Sequence, residues 1–157
     1  MINLKQLSEC RKCGESCSPI SPKIGNRISF IYNSPSQEDF NYGELFQNRG
    51  CYFAFKMIKE YFPDAHLTSV KKCLDGKESK CFSFWTKEEV KDTYKVFMGK
   101  EVAKRFGVEY NYGEATSSYA CFKSPNVFST CGDKIINDFK KLLERVKNEI
   151  EKNSIAN

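Results

Sequence analysis

The sequence predicts an α/β protein: a three-layer sandwich with a central four-stranded parallel sheet and helices on both faces. Three observations carry that expectation. Short apolar runs alternate along the chain with longer segments of helical periodicity, and strands separated by helices pair in parallel with both faces covered. The last thirty residues show one clean helical stripe. No repeat, linker or low-complexity tract divides the 157 residues, so residues 1–157 form a single domain with one core.

The elements follow in order. The first two dozen residues are irregular, punctuated by Ser18-Pro19 and Ser21-Pro22. Ile28, Phe30 and Tyr32, alternating with Ser29, Ile31 and Asn33, predict a strand over about 28–33. The polar connection after it, residues 33–50, is far longer than the roughly 2–6 residues of a plain strand-to-helix link. It holds Glu38, Asp39, Gly43, Gly50 and an isolated Leu45-Phe46. Cys51, Ala54, Phe55, Ile58 and Phe62 recur at helical spacing and predict a helix over about 47–62, ended by Pro63-Asp64. His66–Lys72 reads as a second strand, and Thr86-Lys-Glu-Glu89 has the form of a capping box that starts a short helix. Tyr94–Met98 predicts a third strand, Gly99 leads into a helix through Gly107, and Ser118–Lys123 predicts a fourth strand. Ile135, Ile136, Phe139, Leu142, Leu143, Val146 and Ile150 make the stripe of the C-terminal helix.

Composition excludes several classes. An apolar share of 40%, with thirteen phenylalanines, eight tyrosines and one tryptophan, argues against disorder. No run approaches the ~18 apolar residues of a membrane span. The opening MINLKQLSECRKCGESC lacks the apolar core of a signal peptide, which places the protein in the cytosol, with no membrane partner and a monomer expected. The net charge of +5 suits a polyanionic partner and equally an ordinary basic surface. Lys71-Lys72, Lys77/Lys80 and Lys100/Lys104/Arg105 are the basic clusters.

The eight cysteines are more specific: Cys10, Cys13, Cys17, Cys51, Cys73, Cys81, Cys121 and Cys131. Cys10-x2-Cys13 lies in a polar segment with no core to bury it, and Cys73-x7-Cys81 spans the loop LDGKESK. Two separated thiolate pairs can supply the four ligands of zinc or of an iron–sulfur cluster. Cys51 and Cys121 sit within apolar patterns and read as buried free thiols. In parallel sheets ligands bind beyond the carboxyl ends of the strands. The loops 33–50, 73–81 and 124–131 all fall there, so the first is long because it builds a pocket.

On these motifs the chain resembles the uracil-DNA glycosylase superfamily, most closely its iron–sulfur family 4. The likeness runs through most of residues 8–147. Cys10 and Cys13 match the family's opening Cys-x2-Cys. Tyr32-Asn33-Ser34-Pro35-Ser36, Glu38-Asp39 and Gly43-Glu44-Leu45-Phe46 echo its first motif. Thr68-Ser69-Val70-Lys71-Lys72-Cys73 matches the end of its second strand, and Met98-Gly99 with Ala103 the strand and helix after Cys81.

The resemblance implies DNA as partner and excision of a flipped base, uracil or another, by hydrolysis of the N-glycosidic bond. It implies a structural 4Fe–4S cluster on Cys10, Cys13, Cys73 and Cys81, with Cys17 as substitute ligand and zinc as the alternative metal. It places Asn33, Glu38 and Asp39 in catalysis and Tyr32, Ser34, Phe46, Ser69 and Ser124 around the base. Lys71, Lys72, Val127 and Phe128 would contact DNA, Val127-Phe128 as a wedge into the stack or as a loop anchor. Phe46 would be a stacking floor or a core residue closing its loop.

The chain departs from the family at three places: Asn33 stands where the family has glutamate, Ser69 where it has asparagine, and Ser124-Pro125 where it has His-Pro. The only histidine, His66, lies at the wrong end of a strand and reads as structural or solvated. Loss of one leaving-group donor costs about 3 kcal/mol, or roughly a hundredfold in rate. A catalytically inactive relative that binds nucleic acid or a protein partner is therefore the second expectation, and a small zinc protein of unrelated α/β fold the third.

Overall fold

The structure, a computed structural model, describes residues 2–130 and 132–156. Four parallel strands form one sheet in the order β2-β1-β3-β4, with β1 Ile28–Tyr32, β2 His66–Ser69, β3 Tyr94–Met98 and β4 Tyr119–Phe122. Helices cover both faces, so the architecture is the expected three-layer α/β sandwich. The central pair, β1 and β3, is apolar almost throughout, as burial on both faces requires.

Alternation along each strand divides the core in two. Phe30, Tyr32, Val96, Met98, Ala120 and Phe122 point to one face, where α3 (Arg49–Tyr61) and α7 (Asp133–Ala156) close over them. From α7 come Phe139, Leu142, Leu143 and Val146, none of them reached by solvent. Each such side chain contributes about 1.5–3 kcal/mol by leaving water. Ile31, Phe97 and Cys121 point to the other face, against α6 (Lys100–Arg105) and the helical run of residues 78–89. That run is α4 (Glu78–Cys81), a π-helical turn (Phe82–Thr86) and α5 (Lys87–Glu89).

Thr86–Glu89 does not form the expected capping box. The Thr86 hydroxyl donates to the Val70 carbonyl at 2.9 Å, and Glu89 turns inward to Lys72 and His66. A capping box does form at Ser36–Asp39, opening the short α2 (Gln37–Tyr42) inside the segment predicted as irregular loop. Asn48 caps α3 by accepting from the Cys51 N–H at 2.8 Å. The second strand is shorter than predicted: it ends at Ser69, and Val70 and Lys71 beyond it donate to the Tyr32 and Asn33 carbonyls at the end of β1.

The N-terminal segment begins with α1 (Leu4–Ser8) and is tied to the outer edge of β2. Lys23 and Leu67 exchange backbone hydrogen bonds of 2.9 and 3.0 Å, and the Ile20 N–H donates to the Lys72 carbonyl at 2.7 Å. This strap lays residues 10–20 beside the loop after β2. Among the described residues no helix is long and apolar enough to cross a membrane.

Candidate functional site

Two groups of side chains collect at the carboxyl end of the sheet. The first surrounds the end of β1. The Asn33 amide donates to Glu78 Oε1 at 2.9 Å, and the other Glu78 oxygen lies 3.5 Å from the Arg105 guanidinium. Asn33 and Glu78 are both half-buried, and Glu78 keeps a solvent-facing side. Such a pair can hold a water between an amide oxygen and a carboxylate. Sequence reasoning found Asn33 and missed Glu78, which lies 45 residues away at the start of α4, whose position only the fold decides.

Other expected members do different work. Asp39 is inaccessible to solvent; its oxygens accept from the Tyr32 hydroxyl (2.8 Å), the Ser36 N–H (3.1 Å) and the Gln47 N–H (2.6 Å). It fastens the 33–48 loop, and solvent does not reach its oxygens. Glu38 is exposed in the first turn of α2. Tyr32 is buried with its hydroxyl held by Asp39, and burial, with the Asp39 charge beside it, pushes that hydroxyl well above the ordinary tyrosine range.

Phe46 is 1% exposed and packs between Tyr32 (ring centroids 4.7 Å) and Phe55 (6.1 Å). It closes its loop as a core residue, from a left-handed backbone at φ +65°. Ser69 is buried and donates to the Lys71 carbonyl, while Ser34 is half-buried and Ser124 exposed.

The expected DNA contacts divide the same way. Lys71 is half-buried and donates to the Leu74 carbonyl at 3.1 Å. Lys72 is not a surface cation. It is 2% exposed and donates to Glu89 (2.5 Å), the Thr68 hydroxyl (2.6 Å) and the Ser69 carbonyl (2.7 Å). Glu89 also accepts from His66 Nε2, a tautomer assigned because His66 Nδ1 accepts the Gly25 N–H. Burial works to raise the Glu89 carboxyl, but Lys72 and His66 outweigh it and hold the group below the usual carboxylate range. Phe128 is the loop anchor: it stacks on Phe122 at 6.0 Å and meets Phe139 at 5.1 Å, leaving Val127 half-buried beside it. The same loop ends at Cys131, which lies outside the described residues.

The second group is made of thiols. Cys73 has Cys17, Cys81 and Cys13 as neighbours, and Cys81 in turn has Cys13 and Cys10. Burial, the Cys17 contact and the other thiols push Cys73 up to about 12, and burial raises Cys81. Backbone N–H groups point at two of the sulfurs, Lys77 at Cys13 (3.2 Å) and Lys72 at Cys81 (3.5 Å). Gly76 keeps the loop open: a Cβ there would stand 3.0 Å from the Cys73 sulfur and 3.3 Å from that of Cys81.

Five thiols with N–H donors to sulfur fit a soft metal by donor chemistry. Among the described residues, however, no group of three or more is already arranged around a metal-sized centre. Cys51 and Cys121 are buried free thiols as expected, with Cys51 pushed up to about 12 by burial.

The fold and these two groups define a parallel α/β protein with a polar edge site and a thiol-rich strap. No protein-family model matches the chain, and no curated protein matches it either.

Proposed function

We propose that the protein binds DNA at the carboxyl edge of its sheet and removes a base by hydrolysis of the N-glycosidic bond, as a cytosolic relative of the family 4 uracil-DNA glycosylases. The observation that supports this best is the Asn33–Glu78 pair. In this reading the Asn33 carbonyl oxygen orients a water and Glu78 takes its proton as the water oxygen attacks the sugar C1′. The bond from C1′ to the base nitrogen breaks, and the base leaves with the bonding electrons, to be protonated by solvent. Glu78 thus supplies the carboxylate that the first motif lacks. Exposed Lys77, Lys80 and Lys123 serve the phosphates.

Four of Cys10, Cys13, Cys17, Cys73 and Cys81 would hold a 4Fe–4S cluster, or zinc. The burial of Cys17 and its place beside Cys73 favour it over half-exposed Cys10. The metal supplies a structural cross-link between the strap and the loop after β2.

A panel of oligonucleotides carrying uracil, hypoxanthine, xanthine or mismatches, scored for abasic sites, tests the reaction. Glu78→Gln and Asn33→Ala should each abolish excision with little change in DNA affinity. The second reading, a binding protein without catalysis, draws on the burial of Phe46 and on the position of two cavities of about 220 Å³. Both lie at the opposite, amino-terminal edge, lined by Arg27 and by the residues just before β2 or β3. Wild-type protein that binds DNA and leaves every base in place would establish it.

A further inference from the structure

With Phe46 enclosed, the stacking surface open to solvent lies one ring further out. Tyr32, Phe46, Phe55 and Tyr52 form a continuous chain of rings, with successive centroids 4.7, 6.1 and 6.3 Å apart. It leads from the end of β1 to the outer face of α3. Tyr52 is 46% exposed and lies nearly parallel to half-buried Phe55, at 23°.

Both outer rings, Tyr52 and Phe55, have an ammonium beside them. Lys56 lies 5.1 Å from the Tyr52 centroid, and Lys59 and Lys23 lie 5.8 and 5.4 Å from that of Phe55. Lys23 is paired with Glu44, but among the described residues neither Lys56 nor Lys59 has a carboxylate partner. The spacing 52, 55/56, 59 keeps rings and cations on one helical stripe. The amino end of the stripe lies at the carboxyl edge of the sheet, because the first turn of α3 packs on the 124–129 loop that follows β4: a Cβ on Gly50 would stand 2.6 Å from the Pro125 carbonyl oxygen.

We infer that this stripe is a binding track for single-stranded nucleic acid, leading away from the carboxyl edge. The ligand must be both planar and anionic. An accessible ring offers a base a stacking face, and the unneutralised ammonium groups meet the phosphates between bases. A paired duplex keeps its bases inside the stack and can use only the cations. The inference deepens the DNA-binding part of the proposed function by naming the strand form, and it stands whether or not bases are excised.

The test is fluorescence anisotropy with a labelled oligo-dT of about 20 nucleotides and a duplex of the same length, over a range of salt. Wild type should prefer the single strand. Tyr52→Ala should weaken that binding roughly tenfold, and Tyr52→Phe, which keeps the ring, should bind as wild type. Lys56→Gln should lower the slope of log affinity against log salt by about 0.7 on the single strand. Thermal melting confirms that these surface variants fold. Wild-type preference for duplex, absence of oligo-dT binding, or Tyr52→Ala binding as tightly as wild type would overturn the track. Base excision scored on the same preparations keeps the two proposals apart, since loss of excision leaves this binding untouched.

Discussion

Glu89 joins its own short helix to both sides of β2: to His66 at the start of the strand and to Lys72 just beyond its end. Replacing it with glutamine leaves the Lys72 ammonium buried without its counter-charge, a change that costs about 3–5 kcal/mol. Urea unfolding should show that loss at neutral pH. Because the folded carboxyl sits below its ordinary range, its stabilising effect is complete above the unfolded value near about 4.3. It fades as pH falls through the folded value, so the wild-type and Glu89→Gln stability curves should converge on acidification. Phe46→Ala should destabilise by about 3–5 kcal/mol, as expected for an enclosed aromatic. If Phe46 were instead a stacking floor, the variant would melt as wild type and lose only binding of an extrahelical base.

The loop of residues 73–81 serves both halves of the candidate site. It carries Glu78 to Asn33, and it carries Cys73 and Cys81 to the strap. Gly76 allows both by leaving no Cβ against the two sulfurs. Gly76→Ala should therefore lower bound iron or zinc per chain in protein purified without oxygen, while far-ultraviolet circular dichroism stays unchanged. Cys17→Ser should lose more metal than Cys10→Ser, and the reverse order would return the ligand set to Cys10, Cys13, Cys73 and Cys81.

If the strap holds a metal as proposed, the edge of the molecule should depend on it and the sheet core should not. Both apolar clusters are built from strands and flanking helices, and from the segment before β1 they include only Ile20. Removing the metal by chelation should raise amide exchange in residues 2–19 and 72–81 while the amides of β1 and β3 stay protected. Uniform loss of protection would show that the strap supports the whole fold.

Much of this was legible in the chain itself. The four strands, their parallel pairing and the α7 stripe follow from periodicity, because burial on one or both faces writes itself into every second or every third and fourth residue. The clustering of Cys10, Cys13 and Cys17 was visible as spacing. Only the tertiary structure decided which polar residues are free. Asp39, Lys72 and Phe128 are of residue types that suit a site, yet each is enclosed by partners the sequence pattern does not announce: Gln47 of its own loop for Asp39, Glu89 for Lys72, Phe139 for Phe128. Glu78 has no local motif and becomes a candidate only because its loop crosses the end of β1. Burial and pairing are sums over the whole fold, whereas periodicity is a property of neighbours along the chain.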